Sequence, residues 1–411
     1  VQFEKNGYRI NMQILQICKK YPYPPKDGES VAIYNLAASL QEAGATIDLL
    51  AMNTSRHEMA VEASPVLSFY RKVATVPVDN HIKLVPAFLN LFSDSSYHIE
   101  RFVSSAFAQK LEEWLQQNDY AVVQLETLYL APYIPVIRRY SRAKICLRAH
   151  NVEHEIWERI VDNTPTGLRR RYLAHLTPKL KQYEVSQLPN YDLLAAISQR
   201  DLDTYRQLGY SGPGLVVPVG FDPQAYEPLY HHYSHRLSIG FIGSLDWIPN
   251  LEGLDWFLQE VWPGLHAACP DLELHIAGRN TPERLLSLHQ ENISVHGEVA
   301  DAQAFIKAHT IALVPLRSGS GMRVKILEAM ALGKVVLTTS LGLEGIPARD
   351  GQEVLLADEP AAFLQQIQFC QIAPDRLTQI GQNARHLVEE HFDRSGIAER
   401  LLSAFVHLVD G

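Results

Sequence analysis

Cysteine is scarce: Cys18, Cys146, Cys269 and Cys370 are the only four in 411 residues, far apart and with no C-x-x-C pair. They give no disulfide framework and read as reduced core thiols, which favours a cytoplasmic setting. No apolar run reaches ~18 residues, so no segment reads as membrane-spanning, and no charged-then-apolar leader is visible. Basic excess is missing too. The formal charge of -9 disfavours nucleic acid as a partner, though a local basic pocket for phosphate remains open. Three motifs are absent: G-K-[ST] after a glycine-rich loop, G-x-G-x-x-G, and H-E-x-x-H. The first two absences argue against a P-loop ATPase and a dinucleotide enzyme, and with the third no cluster suggests a metal.

What the chain does have is two similar halves. At 411 residues it is too long for one ordinary core, and two domains of roughly 150–200 residues are expected. "MQILQIC" reads as a first strand, "KKYPYPPKDGES" as a proline-rich loop closed by Gly28, and "VAIYNLAASLQEAG" as a helix ending near Gly44. "ATIDLLAM" returns as a strand, completing a βαβ unit. "YAVVQLE", "AKICLRAH" and "YDLLAAIS" are further strands. The long charged stretch after His150 reads as two or more helices, broken near residues 163–167 and around Pro178. After the Gly- and Pro-rich "YSGPGLVVPVGFD" the pattern restarts with "LSIGFIG", "LELHIAG", "ISVHGEV", "IALVPL" and "KVVLTTS" as strands between helices. The reading is therefore an α/β fold of two Rossmann-like parallel-sheet domains facing each other across a cleft. Residues 12–209 form the first and residues 210–390 the second, with a C-terminal helix over 391–411 expected to pack back on the first. "VQFEKNGYRIN" ahead of Met12 is a leader, a cloning remnant or an extra edge strand.

The chemistry concentrates in "VPLRSGSGMRVKILEAMALG", Val314 to Gly333. Gly319, Ser320 and Gly321 allow a ligand close to the backbone, and the helix that follows leaves its first amides unpaired. An anion suits that place, with Arg323 and Lys325 adding charge and directed donors. Glu328 lies three residues after Lys325, and its carboxylate suits paired hydroxyls such as those of a ribose. The competing reading is a solvated helix start with a Lys325–Glu328 ion pair, worth ~0.2–0.5 kcal/mol.

These residues, with "GSLDWIPNLEGLDWFL", "HIAG", "VHGEVAD", "VVPVGFD", "RAHNVEHEIWER" and "YPYPPKDGES", resemble the GT-B retaining glycosyltransferases of family 4 over nearly all of residues 12–390. The resemblance implies that Glu328 holds ribose hydroxyls and that Arg323 and Lys325 neutralise a diphosphate. It implies that Gly28 and Gly243 approach the donor phosphates, that the turn at Gly297 and Val299 receives the base, and that the backbone around Met322 joins the glycine turn in lining the donor site. His150 would touch the transferring sugar, by its ring or its carbonyl; a neutral ring there could donate to a hydroxyl. Two departures stand out. Ser320 occupies the place where the family commonly has its first glutamate. Ser244 and Asn250 stand where many members carry an Arg and a Lys.

The implied reaction moves a hexose-type sugar from a UDP- or GDP-linked donor to a hydroxyl of a saccharide or lipid-linked acceptor, without cofactor or metal. Alternatives are a nucleotide-sugar epimerase or hydrolase on the same scaffold, and a non-catalytic two-lobed sugar-binding protein. Glu126 is an acceptor-side candidate or a charged strand end. Glu153 is a weaker candidate for organising the site, and Asp246 with Trp247 form the donor floor or a packing turn. Arg169, Arg170, Arg171, Tyr172, Lys179 and Lys181 are a patch for peripheral membrane contact or a solvated helix face.

Overall fold

A computed structural model describes residues 12–25, 28–55, 68–83, 90–230, 237–319 and 322–410. The chain divides into two units, one running to Gly220 and resuming at Arg394, the other spanning Phe221–Asp393. The residues ahead of Met12 lie outside the described ones.

The first unit holds a seven-stranded sheet: β1 (Gln13–Cys18), β2 (Thr46–Thr54), β3 (Tyr70–Val78), β4 (Val122–Leu125), β5 (Lys144–Ala149), β6 (Leu193–Ala196) and β7 (Gly214–Val216). All neighbours are parallel, in the order β3-β2-β1-β4-β5-β6-β7. Alternation along the strands sorts side chains onto two faces. Leu15, Ile17, Val123, Leu125, Ile145 and Leu147 enter one core with Trp114 and Tyr133. Ile14, Cys18, Val122 and Cys146 enter the other, beneath Ile33, Leu36 and Leu40 of the helix Gly28–Glu42. Against that same helix packs the closing helix Arg394–Asp410, through Ile397, Leu401 and Phe405.

The second unit holds β8 (Ser238–Ile242), β9 (Glu273–Ala277), β10 (Ile293–Gly297), β11 (Ile311–Val314), β12 (Val335–Thr338) and β13 (Leu355–Leu356). They run parallel in the order β10-β9-β8-β11-β12-β13. Strand order reverses at β1/β4 in one sheet and at β8/β11 in the other. Open α/β sheets bind ligands just beyond the carboxyl ends of their strands at such reversals.

Three readings from the sequence change here, and one strand is added to them. Gly28 is the first residue of a helix rather than the close of a loop. The helix Leu168–Gln187 runs unbroken through Pro178. Proline removes one backbone donor, but Leu176 and Leu180 are buried on either side and Lys179 Nζ donates to the Asn90 and Ser93 carbonyls. The edge strand β3 carries Arg71, Lys72 and Pro77 on a half-exposed surface and so lacks the apolar run that marks the central strands. The passage between units comes at Gly220, not at residue 210, because Gly214–Val216 pairs with β6 and adds a strand to the first sheet.

Candidate functional site

Beyond the ends of β8 and β11 the second unit gathers Gly243, Asn250, Gly319, Arg323 and Lys325. Arg323 sits at the N-cap of the helix Val324–Ala331, and its own side chain does not cap that helix. It is buried at 5 % exposure, with its guanidinium carbon 5.9 Å from the Trp247 ring centroid. Gly319, at φ 103°, makes a turn that L side chains resist. A Cβ there would lie 3.4 Å from Arg323 Nη2, so the bare backbone passes close to the guanidinium.

Lys325 turns into the sheet end. Its Nζ donates to Asn250 Oδ1 at 2.6 Å and stands 4.9 Å from the Phe241 ring centroid. Asn250 Nδ2 in turn donates to the Ser244 carbonyl at 2.9 Å. A Cβ on Gly243 would meet Asn250 Nδ2 at 2.7 Å and Lys325 Nζ at 3.4 Å. Burial, then the Arg323 charge, pull the Lys325 amine down to about 7.

Glu328 faces elsewhere. It accepts from Tyr226 Oη at 3.4 Å, and burial pushes its carboxyl up against the lowering effect of that hydrogen bond. Among the described residues no ion pair joins Lys325 to Glu328, so the arrangement is not the surface pair that spacing alone allows. The arrangement is two cations near a helix start and one separate acceptor further along. Ser320 and Gly321 lie outside the described residues, and Met322 just ahead of Arg323 is half-buried.

On the β9–β10 side, Gly278 donates to the Gly297 carbonyl at 2.8 Å, and a Cβ on Gly278 would lie 2.1 Å from the Gly243 carbonyl oxygen. Three strand ends are thereby held at backbone distance. Gly297 closes β10 and Val299 is half-buried in the turn after it. Asp246 is exposed and accepts from Ser244 Oγ at 2.5 Å and from Asn280 Nδ2 at 3.0 Å, bracing the turn that presents Trp247.

In the first unit a second polar group lies at the β1/β4 reversal. Gln16, Gln124 and Arg148 sit on the sheet face that also carries Ile14, Val122 and Cys146, with Glu126 and His150 just past the ends of β4 and β5. Glu126 is fully buried. Its Oε1 accepts from the Gln16 and Gln124 amides, and its Oε2 accepts from Arg148 Nη1 at 3.3 Å and meets His150 Nε2 at 2.9 Å. Tyr70 Oη donates to Gln16 Oε1 at 2.6 Å. Burial alone would raise the Glu126 carboxyl, but the Arg148 charge and the His150 hydrogen bond outweigh it and hold it at about 2. Burial and then Arg148 push His150 below the ordinary imidazole value. Glu126 is thus an internal anchor, not a strand-end charge open to an acceptor.

Glu153 opens the helix Glu153–Asn163 and accepts from Tyr129 Oη at 3.0 Å; burial raises it to about 7, against the lowering effect of Lys19 and with a further push from Glu184. Glu184 accepts from the backbone amides of Glu153 and His154, from Tyr205 Oη and, at 2.6 Å, meets His154 Nδ1. In the basic patch Lys181 pairs with Glu158 at 3.6 Å, and Lys179 is spent on the two carbonyls named above. Arg148, Gln16, Gln124 and Tyr226 escaped the sequence reading. A polar residue two positions before another was the available signal for Gln124 and Arg148, and a polar residue inside an apolar strand for Gln16; nothing local marks Tyr226.

Known proteins share this two-sheet fold. Residues 236–370 match the family described as glycosyl transferases group 1. A Klebsiella pneumoniae relative, described as an uncharacterized 44.6 kDa protein in the cps region, is 22% identical over 397 residues, covering 93% of this chain and 96% of its own. Sucrose-phosphate synthase from Thermosynechococcus elongatus superposes with a TM-score of 0.68 at 17% identity, over 96% of this chain and 99% of that one. Anabaena HepE in complex with UDP-glucose gives 0.64 at 16% identity, over 97% and 100%. At such identities the solved structures speak for the fold, and the family match speaks for the second unit that bears Arg323, Lys325 and Glu328. The second unit thus carries the match to glycosyl transferases group 1 over residues 236–370, and the chain as a whole shares the two-sheet fold of these solved structures.

Proposed function

We propose that the protein moves a hexose-type sugar from a nucleotide-diphosphate donor to a hydroxyl of a saccharide or lipid-linked acceptor, with retention at the anomeric carbon. The observation that carries this reading is the buried pair of cations, Arg323 and Lys325, at a helix start beyond the β8/β11 reversal, with Glu328 apart from them. Such a transfer expels a diphosphate, so positive charge must already stand where negative charge develops. Arg323, the Lys325 amine when protonated, and the amides at the helix start supply it. Glu328, a pure acceptor when ionised, takes the ribose hydroxyls. Gly243, Gly319 and the glycine turn through Ser320, Gly321 and Met322 let the phosphates approach, Gly297 and Val299 border the base, and Gly28 is a further backbone approach for the donor phosphates. His150 meets a hydroxyl of the sugar. HepE, solved with UDP-glucose, makes UDP conjugates the first donors to try. Arg169, Arg170 and Arg171 remain for a negatively charged membrane surface or lipid-linked acceptor.

Mass-spectrometric screening of nucleotide sugars, with and without candidate acceptors, tests the reaction. Product formed only when an acceptor is present supports transfer; donor breakdown without one supports hydrolysis. Arg323→Ala is expected to lower turnover ~10²–10³-fold, the usual loss for one oriented charge-stabilising donor. Glu328→Ala is expected to raise the donor KM strongly. Near-normal kinetics from both folded variants would move the site elsewhere.

A further inference from the structure

We infer that Glu126 is a positioning residue that fixes His150 in one tautomer, so that the ring presents a bare Nδ1 as a hydrogen-bond acceptor toward substrate. The inference deepens the proposed function and rests on its placement of His150 beside a sugar hydroxyl. Its own observation is the buried network at the β1/β4 reversal.

Glu126 is the centre of this network. Its side chain is 0% exposed, and Oε1 is claimed by the amide groups of Gln16 and Gln124. Both glutamines are strand residues facing one another in register, and Tyr70 Oη holds Gln16 from behind. Arg148, 1% exposed, supplies the counter-charge on Oε2. A carboxylate so surrounded accepts hydrogen bonds and donates none. The 2.9 Å contact from Oε2 to His150 Nε2 therefore requires the proton to reside on Nε2. The ring favours the neutral form: it is 4% exposed, and burial together with the adjacent Arg148 outweighs the opposing pull of the Glu126 and Glu29 carboxylates. A neutral imidazole protonated on Nε2 has its lone pair on Nδ1, and among the described residues the one hydrogen bond recorded for the ring is the Nε2 contact. That nitrogen is then an acceptor. A sugar hydroxyl approaching it must donate, and the ring can receive a proton there but has none to give. That reverses the expectation of a donating His150.

The consequence is chemical selectivity. A substrate carrying a hydroxyl opposite Nδ1 gains a hydrogen bond, whereas one with hydrogen or an ether oxygen there gains nothing. Gln16, Gln124, Arg148 and Tyr70 act one step further back, by keeping the Glu126 carboxylate from rotating.

Full-length protein labelled with ¹⁵N-histidine tests this directly, because imidazole ¹⁵N shifts separate a protonated nitrogen from a bare one. His150→Asn identifies its signals among the 17 histidines. The expected wild-type pattern at neutral pH is protonated Nε2 and bare Nδ1. In Glu126→Gln the amide can donate to Nε2, so the proton is expected to move to Nδ1, with turnover down ~10²-fold or more. Circular dichroism shows whether that variant is folded; if it is not, the wild-type spectrum alone decides. A bare Nε2 or an imidazolium in the wild type overturns the inference, as does an unmoved proton in folded Glu126→Gln. A moved proton with unchanged transfer would instead overturn the placement of His150 beside the sugar.

Discussion

Lys325 is the residue at which burial and the proposed donor site together make a prediction. An amine lowered to about 7 by its surroundings, chiefly burial and then Arg323, is largely neutral at pH 8. A bound diphosphate favours the charged form, so binding at that pH is expected to draw a proton from solvent onto Nζ. The sign follows from the direction of the shift: affinity for a nucleoside diphosphate should fall as pH rises from 7 to 9. Titration calorimetry of UDP in buffers of differing ionisation heat would count the proton, and Lys325→Met should abolish the uptake. An affinity flat across that range would mean Nζ does not face the phosphates. Arg323 and Lys325 could be named from the sequence because small residues and charges beside a helix start are a local pattern. That Lys325 would choose Asn250, rather than Glu328, could not. Spacing of three puts both on one helix side, but the Nζ pairs with a residue 75 positions away.

At the scale of elements, the helix Glu153–Asn163 shows how a site is held without a local cap. Its N-cap is Val152, which offers no side-chain oxygen. The missing acceptor comes from Glu184 on the helix Leu168–Gln187, which takes the amides of Glu153 and His154 together with the His154 ring and the Tyr205 hydroxyl. Four donors converge on one carboxylate that is 1% exposed. Glu184→Ala would leave all of them unpaired, and a loss of about 3–5 kcal/mol is expected from the urea unfolding midpoint. Glu184→Gln, which keeps shape and one acceptor, should lose clearly less. If the two variants unfold alike, the carboxylate is not what secures the helix that follows His150. Helix and strand order was legible for the central elements because their apolar periodicity is strong. The edge strand β3 and the unbroken helix through Pro178 were not, since exposure erases the first signal and long-range packing overrules the second.

Across the whole molecule the chain leaves its first unit at Gly220 and comes back at Arg394, so the closing helix belongs to the sheet laid down first. Leu401 and Phe405 lie in the core that carries Ile14, Ile33 and Leu36, on the face that also bears the Glu126 network. Leu401→Ala is expected to cost about 2–5 kcal/mol, read as a lower melting temperature. The ¹⁵N pattern of His150 should shift or broaden with it, while UDP affinity, proposed to reside in the second unit, should hold. Loss of UDP binding instead would show that the two units do not report separately. Taken alone, the sequence was enough for two Rossmann-like halves, for the glycine turn with its two cations, and for His150 just past a strand. Each is written in contiguous residues, as apolar period, turn chemistry or charge beside a helix start. Only the tertiary structure decided that Gln16 reaches Glu126 across 110 positions, that Arg148 and Glu126 balance each other out of water, and that His150 turns Nε2 inward. Burial and hydrogen-bond partnership belong to strands brought together by the sheet, and no stretch of chain carries that information by itself.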